Sequence, residues 1–221
     1  MNIFIIIPAF NEEKNIGAVI NDIRNKIPNS NIIVVDDCSN DNTVHIVENQ
    51  NVIILKHIIN RGQGAALQTG NEYAIQKNAD IIVHFDGDGQ HLAKDIKKII
   101  QPIIDDTADV VLGSRFLSVK NRVPMTKKFF ILKPALFFNF IFTGLRLSDV
   151  HNGLRAMSRK AALKIKIMQD KMAHNTEIIS EIKRKRLRHK EISVDIVYNE
   201  YGQNFFDGLK IIKDLIFKKI L

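Results

Sequence analysis

Five short apolar runs, separated by segments of helical length, restrict this chain more than any other feature. They are Ile3–Ile7, Asn31–Val35, Val52–Leu55, Ile81–Phe85 and Asp109–Leu112. Runs of this length without polar alternation read as strands buried on both faces. Between the first two, Ile16, Val19, Ile20, Ile23 and Ile27 recur at helical spacing along one face. Further helices are expected up to about Asn49, from Asn60 to about Lys77, and from about Ala93 to Ile103. Strands alternating with helices of this size predict repeated βαβ units and a mostly parallel sheet, an α/β fold.

Polar clusters follow the strands, and a parallel sheet collects them along one edge, where open α/β sheets bind ligands. The sharpest is Asp86-Gly87-Asp88-Gly89-Gln90. Two carboxylates one residue apart offer hard oxygen ligands for Mg²⁺ or Mn²⁺. Glycines at 87 and 89 would let a phosphate approach the backbone. The same string is also good turn chemistry, and alone it does not separate the two readings. An EF-hand loop is excluded, because His91 and Lys97 stand where that loop needs Gly and Glu.

Asp36 and Asp37, after the second strand, suit a ribose or the N–H groups of a base, or equally a capped turn. Gly62-Gln63-Gly64 begins a dinucleotide fingerprint that fails at Leu67, and no G-K-[ST] makes a Walker loop. Neither hydride transfer nor P-loop chemistry is supported.

The single cysteine, Cys38, excludes an internal disulfide and a Cys-cluster zinc site, and suits a reducing cytosol. The amino terminus lacks a signal-peptide pattern, and no segment reaches the ~20 apolar residues of a membrane span. The net charge of +8 divides unevenly: residues 1–116 carry −5 and residues 117–221 carry +13. A basic second part could meet nucleic acid, an anionic membrane surface or a phosphorylated acceptor.

That second part opens with Lys120, Arg122, Lys127 and Lys128, which lead into the apolar stretch 129–142, broken by Lys133, Pro134 and Asn139. It reads either as a buried helix pair or as an interfacial segment with basic flanks. A short strand at Asn152–Met157, helices at Arg159–Ile165 and His174–Leu187, and a strand at Glu191–Tyr198 are expected next. Six Lys/Arg lie among residues 183–190. They read as a solvated helix end or as a dock for anionic lipid. Gly208–Leu221 has the pattern of a basic amphipathic helix.

Six segments occur in an order that resembles a known family: Ile5–Glu13, Val34–Thr43, Asn60–Ala66, Phe85–His91, Gly113–Arg115 and Asn152–Ala156. Together they resemble the family-2 glycosyltransferases of GT-A fold, in the branch of dolichyl- and polyprenyl-phosphate sugar synthases. The resemblance covers roughly residues 3–207. It implies one GT-A domain over 1–221 with a Rossmann-like, mostly parallel sheet flanked by helices. Residues 1–116 would form the nucleotide-sugar part and 117–221 a basic part facing acceptor and membrane.

The resemblance also implies roles. Pro8, Ala9, Asn11 and Glu12 would line the base and ribose, and Asp36 and Asp37 would bind the nucleotide. Asp86 and Asp88 would hold Mn²⁺ or Mg²⁺ on the donor diphosphate, with Gln90 as a further ligand and Gly87 close by. Arg115 and Arg155 would lie near phosphates, a task suited to a two-pronged guanidinium. The family usually has Gly where Cys38 stands and G-K-G where this chain has Gly62-Gln63-Gly64, so Gln63 and Gly64 would bind the nucleotide-sugar without that lysine's phosphate contact. Many lipid-phosphate members also carry R-x-x-G-x-S-K where residues 199–204 read Asn-Glu-Tyr-Gly-Gln-Asn.

The implied reaction is displacement at the sugar's anomeric carbon with inversion, from a UDP- or GDP-sugar to a polyprenyl phosphate or a cell-envelope glycan. A phosphate acceptor is already an anion, whereas a sugar hydroxyl needs a carboxylate base. Glu177 and Asp149 are the candidates for that base, with Asp88 beside the reaction. The expected location is cytoplasmic, peripheral at the inner face of the cell membrane, and a homo-oligomer is compatible with the sequence. A nucleic-acid-binding protein using the basic half would leave the acidic strand ends unexplained, and no helix-turn-helix or aromatic-basic motif supports it. Intact acids at 36, 37, 86 and 88 argue against an inactive scaffold.

Overall fold

A computed structural model describes residues 1–117, 144–171 and 173–197. Period-two alternation explains its strands. In β1 (Ile3–Ala9) and β2 (Asn31–Asp36), Phe4, Ile6, Ile33 and Val35 face one side, Ile5, Ile7, Ile32 and Val34 the other, and all are buried. Burying one such side chain contributes roughly 1.5–3 kcal/mol. The remaining strands are β3 (Ile53–Lys56), β4 (Ile81–His84), β5 (Val110–Ser114), β6 (Arg155–Ser158) and β7 (His189–Ser193). Helices α1 (Ile16–Lys26), α2 (Thr43–Glu48) and α4 (Lys94–Ile104) cover one face. The other is covered by α3 (Gln63–Gln76), α5 (Arg159–Lys164) and α6 (His174–Arg184).

The strands lie in the order β3-β2-β1-β4-β6-β5-β7. From β1 the chain moves outward through β2 and β3, all parallel, then returns through α3 to place β4 on the other side of β1. The order therefore reverses between β1 and β4, and a crevice opens at their carboxyl ends.

The α/β fold with a mostly parallel sheet is as expected, with one strand reversed. β6 runs antiparallel to both β4 and β5, while β7 is parallel to β5. The reversal follows from where the chain enters β6. Residues 148 and 149 are tied along the carboxyl edge: the Ser148 N–H donates to Glu191 at 2.8 Å and Arg115 pairs with Asp149. The acidic and basic parts share this one sheet, since β6 and β7 lie beside β4 and β5.

The strand expected at 152–157 begins only at Arg155, because the Asn152 side chain accepts from the Leu154 N–H at 2.9 Å and turns the chain there. The helix expected to reach Leu187 ends at Arg184, and Arg186 takes a φ of 51°. The strand expected at 191–198 occupies His189–Ser193. The apolar stretch 129–142, the ending at 199–204 and the helix expected at 208–221 lie outside the described residues. Among the described residues no helix is long and apolar enough to cross a membrane.

The basic run 183–190 leads into the start of β7, at the amino edge of the sheet, away from the β1–β4 crevice. Part of its charge has a local partner. Arg184 pairs with Glu181, Arg188 pairs with Asp106 and Asp109, and Lys190 donates to Thr107.

Two consequences are testable. Cys38 has a φ of 67°, a conformation that costs a non-glycine residue about 1–2 kcal/mol. Cys38→Gly is expected to stabilise the fold by roughly 1 kcal/mol after the added chain entropy. That raises the melting temperature by about 2–4 °C in thermal unfolding. Asp109 accepts from the Arg188 N–H at 2.9 Å, Arg188 Nη2 at 3.1 Å and Lys160 Nζ at 3.0 Å. Burial opposes its ionisation, but Arg188 and Lys160 outweigh burial and hold the carboxyl well below its usual range. A depressed carboxyl stabilises the fold above its unfolded value of about 3.9, and that contribution is lost as pH falls below it. Asp109→Asn is therefore expected to lower stability at pH 7 by about 1–3 kcal/mol. It should also flatten the decline below about pH 4, measured by denaturant unfolding across pH.

Candidate active site

The crevice is built from loops that hold one another. Pro8 and Ala9 end β1, and the Ala9 carbonyl accepts from the Asp37 N–H at 2.8 Å. Asn11 has a φ of 56°, its N–H donates to Ser39 Oγ at 2.9 Å, and its Oδ1 accepts from the Asn40 N–H at 2.8 Å. The Glu12 N–H donates to Thr43 Oγ1 at 2.7 Å. The loops after β1 and β2 thus form one wall.

The two neighbouring acids on this wall have different surroundings. Asp36 is buried; its Oδ2 accepts from the Ser39 N–H at 3.2 Å, and its Oδ1 has no partner. An open acceptor at a strand end suits an N–H group of a ligand. Asp37 is occupied: its Oδ1 accepts from His57 at 2.7 Å and the Arg61 N–H at 3.0 Å, and its Oδ2 from the Gly62 N–H at 2.6 Å. His57 in turn meets Thr69 Oγ1 at 2.9 Å. Asp37 therefore anchors the segment between β3 and α3.

Asp86 and Asp88 follow β4 on the opposite wall. Asp86 Oδ1 accepts from Gln63 Nε2 at 2.8 Å, and Asp86 Oδ2 lies 3.2 Å from His91 Nε2. Burial opposes ionisation of Asp86, but the hydrogen bond and charge of His91, followed by the charge of Arg155, keep its carboxyl low. Asp88 accepts from the Gln90 N–H at 2.9 Å. Its carboxyl is pushed up by burial and by the Asp86 charge, with the Gln90 bond opposing. Glu12 is also pushed up, by burial and then by Asp88, Asp41 and Asp86. Three acids therefore repel one another across the crevice, and Gly87 lies against the Pro8 carbonyl beneath them.

That crowding fits a cation. Among the described residues no three His, Cys, Asp or Glu side chains are arranged to hold a metal. Asp86 and Asp88 alone would leave most of a coordination sphere to water and phosphate oxygens, as Mg²⁺ prefers. Gln90 stands on the same loop, its carbonyl accepting from the Val197 N–H at 3.0 Å.

The two arginines are held rather than free to reach outward. Arg115 makes a two-pronged bond to Asp149, Nε at 2.6 Å and Nη2 at 2.8 Å. Burial raises and Arg115 lowers the Asp149 carboxyl, and the net is downward. Asp149 is thus an anchor for Arg115. Arg155 is buried, with Nε on the Gly153 carbonyl at 3.2 Å and Nη2 on Asn175 Oδ1. Burial lowers it to about 10, with Asp86 opposing.

Glu177, the other expected base, is held by the loop before α6. Its Oε2 accepts from the Met168 and Gln169 N–H groups, each at 2.9 Å. It lines a separate cavity of about 470 Å³ with Leu163, Lys164 and Glu181. The α6 residue directed at the site is Asn175, two positions earlier. Sequence reading also passed over His57, His91, His84 and His174. His91 could have been flagged as a ligand-type residue five positions after Asp86, but the others meet their partners only across elements.

The sequence model described as glycosyl transferase family 2 matches residues 4–166. The chain belongs to glycosyl transferase family 2. A relative in this family is the UDP-N-acetylglucosamine–dolichyl-phosphate N-acetylglucosaminyltransferase of Methanococcus voltae. It is 39% identical, over 99% of this chain and 96% of that one. The undecaprenyl-phosphate mannosyltransferase of Micrococcus luteus is 26% identical, over 94% of this chain and 88% of that one. Among solved structures, glucosyl-3-phosphoglycerate synthase of Mycobacterium tuberculosis, in complex with Mn²⁺, UDP and glucosyl-3-phosphoglycerate, superposes with a TM-score of 0.67. It covers 95% of this chain and 75% of its own at 17% identity, a likeness of fold. The chain is accordingly a glycosyltransferase, in the polyprenyl-phosphate sugar synthase-like branch of the family.

For a family-2 transferase of this geometry, Gly153 is a sensitive point. A Cβ there would stand 2.0 Å from Asp86 Oδ2. Gly153→Ala is expected to displace that carboxylate and lower the sugar-transfer rate roughly 100-fold, the scale of a 1 Å misplacement. Circular dichroism should show the fold retained.

Proposed function

We propose that this transferase moves a sugar from a UDP-sugar to a polyprenyl phosphate, with inversion and with a divalent cation. The observation that carries the reading is the position of Asp86 and Asp88, across the β1–β4 switch point from the open Asp36 oxygen. Asp36 would accept from the base, and the wall of Pro8, Ala9, Asn11 and Glu12 would bound the nucleotide. Asp86 and Asp88, with Gln90 close by, would hold Mn²⁺ or Mg²⁺, which supplies Lewis-acid neutralisation of the leaving diphosphate. Arg115 and Arg155, each fixed by its neighbours, would add positive potential on either side of the site.

The acceptor reading draws on what the candidate bases are doing. Asp149 is tied to Arg115 and Glu177 to two backbone N–H groups. Each already holds a partner, which supports an acceptor that is itself an anion. The named acceptors of the two relatives, dolichyl and undecaprenyl phosphates, support the same choice. A lipid acceptor would bring the enzyme to a bilayer, and the excess positive charge of residues 117–221 suits an anionic one.

Thermal unfolding with UDP- and GDP-sugars, with and without Mn²⁺, tests the donor. A nucleotide at a hundred times its Kd stabilises by about 2.7 kcal/mol, or about 5–10 °C for a chain of this size. The expected result is such a shift with a UDP-sugar and Mn²⁺ together, lost in Asp88→Asn. An equal shift with GDP-sugars, or one indifferent to metal, would overturn the donor reading. Transfer to a glycan but not to polyprenyl phosphate would overturn the acceptor.

A further inference from the structure

Each oxygen of the Asp86 carboxylate meets a side chain from a different part of the chain. Gln63 Nε2, at the start of α3, donates to Oδ1 at 2.8 Å. His91 Nε2, on the loop after β4, meets Oδ2 at 3.2 Å. A carboxylate has about four lone-pair sites, so two hydrogen bonds leave one on each oxygen for another partner.

Both donors are fixed from behind. The residues flanking Gln63 are tied down: the Gly62 N–H donates to Asp37 Oδ2 at 2.6 Å and the Gly64 N–H to the Asp170 carbonyl at 2.8 Å. A Cβ at Gly64 would fall 2.0 Å from the Gln169 carbonyl oxygen, so α3 meets the 169–170 loop at backbone contact. His91 is 8% exposed, its ring stands edge-on to Phe85 at 5.9 Å, and its backbone bridges to Ile196. His91 Nδ1 has no partner, so among the described residues the only hydrogen bond this buried ring makes is to Asp86.

We propose that Gln63 and His91 are positioning residues that clamp the Asp86 carboxylate in the orientation a divalent cation requires. The inference rests on the metal reading of Asp86 and Asp88. An amide suits position 63 because it orients the carboxylate without bringing a charge. Partners that orient a metal ligand typically set affinity by 10–100-fold.

The test is Mn²⁺ titration of the full chain by electron paramagnetic resonance in the presence of UDP, alongside UDP binding without metal. Gln63→Leu and His91→Phe are expected to weaken Mn²⁺ binding 10–100-fold each, and metal-free UDP affinity is expected to stay unchanged in His91→Phe. His91→Gln, which restores a donor, is expected to recover most of the loss. Gln63 is half-buried at a helix start, so Gln63→Leu keeps the test available if a change at His91 prevents folding. Wild-type Mn²⁺ affinity in Gln63→Leu would reduce the bond to Asp86 to a structural contact and overturn the clamp. No Mn²⁺ uptake by the wild-type chain with UDP would overturn the metal reading itself, a result distinct from the first.

Discussion

A carboxylate at the end of a strand buried on both faces is the constraint around which this site is arranged. An isolated ionised acid in such surroundings is strongly disfavoured, and every element near β4 supplies something that makes Asp86 tolerable. The start of α3 contributes Gln63, the following loop His91, and the antiparallel β6 the buried charge of Arg155. Gly153 leaves the space the carboxylate occupies. The reversed direction of β6 has a purpose in these terms. Because Arg155 pairs with His84 in the ladder, it enters the sheet beside the last residue of β4 rather than at the far edge.

The same logic explains why the acids of the crevice behave differently. Asp37 and Asp149 have their capacity spent on holding backbone and arginine in place, so they shape the site. Asp36, Asp88 and Glu12 retain either an open oxygen or a raised affinity for protons, the marks of groups still short of a partner. A cation and a nucleotide are the partners that complete this set under the proposed function. The basic run, by contrast, is partly compensated and lies at the other edge of the sheet, so its position does not link it to the chemistry at Asp86.

Much of the site was legible before any coordinates. The apolar runs located the first five strands, since a strand buried on both faces has little freedom in composition. The polar strings after them were gathered at one edge by the parallel topology alone. What the sequence does not show is which partner each side chain holds. Asp149 and Glu177 stood where a base was expected, yet the first is fastened to Arg115 and the second to the 168–169 backbone. His91, five positions after Asp86, is a contact of that carboxylate.

The sequence by itself determined the α/β architecture, the family and the residue types at the carboxyl edge, because local pattern and motif order are properties of the chain as written. Only the tertiary structure decided which acids are open, which arginines are anchored, and that Gln63 and His91 close on Asp86 from opposite sides. Those outcomes depend on contacts between elements far apart in the chain, where distance, burial and competing hydrogen bonds choose a partner that spacing cannot name.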